Sequence, residues 1–215
     1  MQHFRIIFLS SAAFAAVLML SACMSGDSDG RSMIGAGLDA LSNLTGRGRA
    51  ERSAALIESG VDAVKTSEAD SYMGQQEAAL QAAVASKGAK VTRAGERIII
   101  TIPSSSAFSA NSDDLSRGAQ PVLDAAAGVL KKFNRTTVDV YGHTDNGGSE
   151  RKNLDLTQRR ALAVAVYLAR HGIDEKRLSV TGFGASRPVA ANDNAEGRIA
   201  NRRIEIQLSP VSAKS

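Results

Sequence analysis

Residues 137–184 read TVDVYGHTDNGGSERKNLDLTQRRALAVAVYLARHGIDEKRLSVTGFG, and the order of elements in this stretch decides the fold. Val138 and Val140 alternate with polar neighbours over 137–141, which predicts a strand. Residues 158–171 carry apolar side chains at helical spacing, with Thr157 placed to cap the first turn. A second strand follows at 178–181. Strand, helix and strand in succession imply a right-handed β-α-β unit.

The flanking sequence extends the pattern. At 203–208, Ile204, Ile206 and Leu208 alternate with Arg203, Glu205 and Gln207, so one face of that strand is wet. A helix over 117–133 puts Val122, Ala126, Val129 and Phe133 on one stripe, with Pro121 near its start. Upstream, 91–93 and 97–102 flank the turn pair Ala94-Gly95 as a hairpin. The unbroken Ile98-Ile99-Ile100 predicts burial on both faces, and Pro103 ends the strand. The expected fold is α/β, a two-layer sandwich of β-α-β-α-β-β type, occupying residues 90–210 with a short tail at 211–215.

Composition agrees. The chain has 215 residues, 43% of them hydrophobic but only 4% aromatic and none Trp, so Ala, Val, Ile and Leu must form the core. That argues against an all-β sandwich. Twenty-six basic residues face 22 acidic ones, for a net charge of +4 without a basic block, and no nucleic-acid partner is expected. A single cysteine rules out an internal disulfide and argues against a Cys-ligated metal or Cys-rich redox centre.

That cysteine has a particular address. Arg5 precedes an apolar run of 14 residues from Ile6 to Met19, and small residues follow. A helical span of a bilayer needs about 20 residues, so 1–22 reads as a signal peptide. Leu20-Ser21-Ala22-Cys23 matches the bacterial lipobox, and by resemblance to bacterial lipoproteins Cys23 becomes the acylated first residue of the mature chain. Two or more acyl chains anchor durably to a membrane. Met24 resembles the residue found after the cysteine in lipoproteins forwarded to the outer membrane. Residues 25–48 are rich in Gly, Ser and Asp and read as a linker, and helical stretches are expected at 51–64 and 68–87. Residues 23–89 thus comprise a lipidated cysteine, a Gly-rich linker and a helical segment that packs on the domain or on a partner.

Gly142-His143-Thr144-Asp145 follows a strand's carboxyl end, where α/β sheets place ligands. With Thr157 as cap, Arg160 falls in the first helical turn, where the helix dipole favours an anion. Asp145 then stands near Arg160, with Asn153 bracing the loop between them. A carboxylate beside a guanidinium complements the ammonium and carboxylate of an amino acid. The same spacing allows Asp145 and Arg160 simply to pair with each other. His143 reads as a structural histidine at a strand end; His3, His143 and His171 supply no metal set. No Gly-x-Ser-x-Gly elbow occurs, and Gly182-Phe183-Gly184 is not followed by a phosphate-binding helix. Neither an enzyme nor a cofactor or metal site is expected.

Phe108, Leu115, Gly142 to Asp145, Asn153, Leu156-Thr157, Arg160-Ala161, Val164, Leu168, Gly172, Arg177-Leu178, Gly182-Phe183-Gly184, Pro188, Asn192, Gly197-Arg198 and Asn201 to Glu205 together resemble the OmpA-like peptidoglycan-binding domain. With the lipobox and tether, the chain is similar to outer-membrane OmpA-family lipoproteins. The resemblance implies noncovalent binding of the diaminopimelate residue in the peptidoglycan stem peptide. Asp145 would accept the ammonium, Arg160 would clamp the carboxylate, Thr144 and Asn153 would line the pocket, and Phe108 would form its edge. The family often has Asp after that aromatic, where this chain has Ser109. Arg202, sharing the parity of Ile204 and Ile206, either reaches the site or braces it. The implied function is to tie the cell wall to the outer membrane; the alternative is an envelope scaffold that recruits a protein partner through its N-terminal helices.

Overall fold

A computed structural model describes residues 49–109 and 112–212. The signal peptide, Cys23, Met24 and the Gly-rich linker lie outside the described residues. The elements are α1 (Arg49–Glu58), α2 (Ala69–Val84), β1 (Lys90–Ala94), β2 (Arg97–Pro103), α3 (Ser104–Ala107), α4 (Gln120–Lys132), β3 (Thr136–His143), α5 (Glu150–Arg170), β4 (Leu178–Gly182), α6 (Ala195–Asn201) and β5 (Arg203–Pro210). One five-stranded sheet has the order β1-β2-β5-β3-β4. All its pairings are antiparallel except β3 with β4, the β-α-β unit read from sequence.

Helices α2, α4 and α5 cover one face of this sheet. Ile98, Ile100 and Ile102 of β2, Val138 and Val140 of β3, and Ile204, Ile206 and Leu208 of β5 point into a single core with Leu123, Ala126 and Leu130 of α4 and Ala161, Val164 and Leu168 of α5. Burying such a side chain fully contributes about 1.5 to 3 kcal/mol, and the two-layer α/β architecture follows from this one shared core. Ile99 corrects the expectation of a strand buried on both faces. Burial alternates along β2 and Ile99 is only half-buried, because α2, α4 and α5 pack on the face that Ile98, Ile100 and Ile102 share and Ile99 points to the other.

The packed body reaches back beyond residue 90. Met73, Leu80 and Val84 of α2 are fully buried in the same core, so this helix is part of the domain rather than of a tether. Gln76 of α2 donates to the Thr136 hydroxyl, and Tyr72 accepts from the Arg135 amide. Helix α1 is shorter than read and ends in a Schellman arrangement: Gly60 has φ +93°, its N–H reaches Ile57 O at 3.0 Å and that of Val61 reaches Leu56 O at 2.9 Å. Leu56 and Val61 then form a small second cluster with Val211, and Val64 bridges to Ser212. Residues 211 and 212 therefore belong to the packed body and not to a loose tail. The buried apolar side chains of α1 and α2 thus pack within the described body.

The largest departure concerns α5. It starts at Glu150, capped by Ser149, eight residues before the expected start. Thr157 is buried inside the helix, where its hydroxyl donates to Asn153 O at 2.8 Å and accepts from the Gly184 amide at 3.0 Å. Arg160 therefore lies three turns in and not in the first turn; at that depth the backbone amides are already bonded within the helix and the helix dipole does not favour an anion.

Candidate ligand site at the carboxyl edge of the sheet

Because β2 is antiparallel to β5, β5 to β3, and β3 parallel to β4, the ends of β2, β3 and β4 and the start of β5 share one edge of the sheet. Every candidate residue comes from a segment at that edge or from α5 behind it. From β2, the single turn α3 leads to Phe108, whose backbone bridges to Leu115. The Arg160 guanidinium lies 4.9 Å over the Phe108 ring, and its Nε donates to Ser112 O at 2.9 Å. Burial pushes the Arg160 pKa down, Asp113 partly opposes this, and the guanidinium keeps its charge. Among the described residues its Nη groups donate no hydrogen bond to the protein.

From β3, Thr144 is buried and its amide reaches Gly184 O at 3.0 Å, which ties the β3 loop to the β4 loop. Asp145 Oδ1 accepts from the Gly147 amide at 3.0 Å. Asn153, expected to brace this loop, does so: its Nδ2 reaches Gly147 O at 2.8 Å and Asp145 O at 3.4 Å. Oδ2 of Asp145 is paired with Arg202. That settles the alternative left open by spacing, since the salt bridge of Asp145 runs to Arg202 and not to Arg160. Asp145 is 13% exposed and Arg202 is 41% exposed, so the pair opens to solvent on the arginine side. Arg202 itself sits between α6 and β5, with its carbonyl accepting from Ser104. Buried Asn201 receives the Val189 and Ala190 amides, and Arg203 bonds Glu205 at 2.7 Å, so both neighbours of Arg202 are fixed.

The structure thus joins Phe108 with Arg160, and Asp145 with Asn153 and Arg202, as two charged groupings along one edge. The pairing of Asp145 with Arg202 was not legible from sequence, since parity says where a side chain points and not what it meets. Also unread were the roles of Ser112 and Gln158. Gln158 Oε1 accepts from the Gly182 amide at 2.6 Å.

Two glycines set how closely α5 approaches. A Cβ on Gly142 would stand 2.2 Å from Thr157 O, and one on Gly182 would stand 2.4 Å from Gln158 N. Backbone, not a flexible side chain, blocks both. Gly142→Ala is therefore expected to cost about 1 to 3 kcal/mol, and to weaken ligand binding further by moving Arg160 relative to Asp145. Thermal melting together with a binding assay checks this; wild-type stability would contradict the close approach.

His143 is 2% exposed and, among the described residues, neither ring nitrogen has a hydrogen-bond partner. It stacks on Phe183 at 5.4 Å, and Arg187 covers the Phe183 ring at 3.6 Å. Burial, with Arg203 and Arg187 adding to it, pulls the His143 pKa down to about 3. Glu205 stands 3.7 Å from Nε2, but its carboxylate is engaged by Arg203 and does not hold the imidazole charged. A neutral structural histidine results. Its folded pKa is below the unfolded value near 6.5, so the unfolded chain takes up the proton first and stability is lost as pH falls from 6.5 towards 3. Wild type should lose on the order of 1 to 3 kcal/mol between pH 6.5 and 4.5 through this group, and His143→Phe should remove that part of the slope. Urea unfolding at both pH values measures it.

The α/β sandwich thus holds opposite charges at the loop edge of its sheet, on segments pinned by backbone bonds. The chain belongs to the OmpA family, whose model matches residues 107–202. It is 35% identical over 215 residues to the probable lipoprotein YiaD of Escherichia coli (strain K12), covering 95% of this chain and 98% of that one. Over 88 residues it is 39% identical to the peptidoglycan-binding protein ArfA of Mycobacterium tuberculosis (strain ATCC 25618 / H37Rv), 41% of this chain and 27% of that protein. Among solved structures, the cell wall anchor of the T6SS from Pseudomonas aeruginosa is 33% identical with a TM-score of 0.56, covering 62% of this chain and 96% of that one.

Proposed function

We propose that this protein binds peptidoglycan noncovalently through the diaminopimelate of the stem peptide and, anchored by acyl chains on Cys23, ties the cell wall to the outer membrane. The observation that carries the reading is the Arg160 guanidinium: seated on Phe108, fixed through Nε alone, with its remaining donors free among the described residues for a carboxylate. Asp145, on the same edge, supplies the opposite charge for an ammonium, and Thr144, Asn153, Phe108 and Arg202 shape the space between. The relatives support a place in the cell envelope in association with the wall: one is named a lipoprotein, another a peptidoglycan-binding protein and a third a cell wall anchor.

The test is co-sedimentation of the full chain, in detergent, with purified sacculi. Binding should be released by free meso-diaminopimelate but not by Nα-acetyl-lysine amide, whose side-chain ammonium has no free carboxylate beside it. Failure to sediment, or equal release by Nα-acetyl-lysine amide, would overturn the reading. Cys23→Ser should leave an uncleaved chain that takes up no labelled palmitate; continued labelling would remove the anchor.

A further inference from the structure

Beside the Asp145 loop, on its β4 side, lies a second cleft of about 380 Å³. We infer that it is a subsite for a sugar ring of the glycan strand from which the stem peptide hangs, an inference that rests on the reading of the Asp145 and Arg160 site just given. Asn146, Glu150 and Leu154 form one wall, and residues 183–186 form the other.

The chemistry of the walls is that of a saccharide. A pyranose has an apolar C–H face and a rim of hydroxyl and acetamido groups. Leu154 is 50% exposed, a large apolar side chain held out at the mouth of the cleft, and the half-buried Phe183 stands across from it. Single exposed apolar residues are ordinary, but this one lines a concave space together with Phe183, a ring already stacked on His143 and covered by Arg187 and so fixed in place. The Asn146 amide and the Glu150 carboxylate provide hydrogen-bonding groups for a sugar rim. Ser186 gives its hydroxyl proton to Phe183 O at 2.7 Å, which leaves its oxygen as an acceptor.

The cleft is also preformed. Its Asn146 wall is held by the Asn153 bonds to Asp145 and Gly147, and its Gly184 wall by Thr157 Oγ1 and the Thr144 amide. Gly148, at φ +82°, makes the turn between Asp145 and the helix without strain. Little ordering remains to be done when a ligand enters, which favours binding.

Reach is satisfied as well. Asn146 directly follows Asp145, so Cα atoms about 3.8 Å apart carry the Asp145 carboxylate and one wall of this cleft. The loop after β4 is one strand further, about 4.8 Å away. Diaminopimelate hangs from the sugar through a lactyl group and two amino acids, a linker longer than the about 7 Å that two backbone residues alone span, so a residue gripped at Asp145 leaves the sugar free to reach the β4 side of the loop.

Calorimetry on the full chain in detergent tests this with free diaminopimelate, the stem tetrapeptide, and the disaccharide tetrapeptide. Wild type should bind the disaccharide tetrapeptide about tenfold more tightly than the tetrapeptide. Leu154→Ser and Asn146→Ala should each cut that increment to about twofold or less while leaving the affinity for free diaminopimelate unchanged. No gain from the disaccharide in wild type, or a full gain in both variants, would overturn the subsite and leave the diaminopimelate reading standing. If the disaccharide adds affinity while free diaminopimelate does not bind, the earlier reading falls and the subsite remains.

Discussion

Asp145→Asn is expected to weaken sacculus binding by about thirtyfold to several hundredfold, the effect of leaving a ligand's ammonium without its carboxylate in a partly buried cleft. The substitution keeps an oxygen at Oδ1 for the Gly147 amide, so the loop should hold its shape and the melting temperature should stay within a few degrees of wild type. Arg160→Lys should match the binding loss. Lysine keeps the charge but cannot offer a fork to a carboxylate, and it has no planar cation to lie on Phe108. Arg160→Ala is the less informative variant, because it also strips the Ser112 carbonyl of its partner and opens space beside Phe108, so folding and binding fall together. Co-sedimentation and melting of the same preparations separate the two effects. Sedimentation of both Asp145→Asn and Arg160→Lys at wild-type levels would place the ligand elsewhere.

The largest effect on stability is expected at a residue that touches no ligand. Arg177, immediately before β4, is 3% exposed. It donates to Thr136 O at 2.7 Å, Leu130 O at 2.9 Å and Phe133 O at 3.0 Å, with the Thr136 hydroxyl at 3.1 Å. One side chain thus satisfies the last carbonyls of α4 and the first of β3, groups that no helix or strand partner would take. Burial pulls its pKa down to about 10, which leaves it charged at neutral pH. Arg177→Leu removes every one of these donors and strands three buried carbonyls. A loss of about 3 to 5 kcal/mol in urea unfolding is expected. A change below about 1 kcal/mol would mean that water replaces the arginine.

What the sequence disclosed, and what it hid, divides by mechanism. The strands were legible because a sheet covered on one face imposes a period of two: Ile204, Ile206 and Leu208 announce β5 directly. Helix α4 was legible from its apolar stripe. The start of α5 was not, because residues 150–157 contribute only Leu154 and Leu156 as apolar side chains, and Thr157 looks like a cap wherever an apolar run follows it. In the fold that threonine faces Gly184 instead, a contact set by how closely Gly142 and Gly182 let the helix approach. Within the candidate site, Asn153 was correctly read as a brace since its loop is local in sequence. The Asp145 to Arg202 pair spans 57 positions and depends on β5 lying between β2 and β3, a strand order that no local pattern encodes. The place of α2 in the core was likewise undecidable from its own stripe, which fits a partner as well as it fits the domain.

The seam between the two ends of the described body bears on mechanics. Val64 and Val211 meet beside the first residues of β3, and the candidate site lies past its last. For a protein held by the wall at one place and by a membrane at another, load would enter and leave at opposite ends of the strands. The ladders β2–β5 and β5–β3 would then resist in shear, with their hydrogen bonds strained side by side rather than parted one after another. Helix α1 lies upstream of that ladder and is held by Arg52 on Asp139 and the Arg177 carbonyl, by Lys176 on the Ser59 carbonyl just past its end, and by Leu56 against Val211. It should peel away first. Ten helical residues at about 1.5 Å each lengthen to about 3.3 Å each when drawn out, close to 20 Å of slack released before the sheet bears any tension.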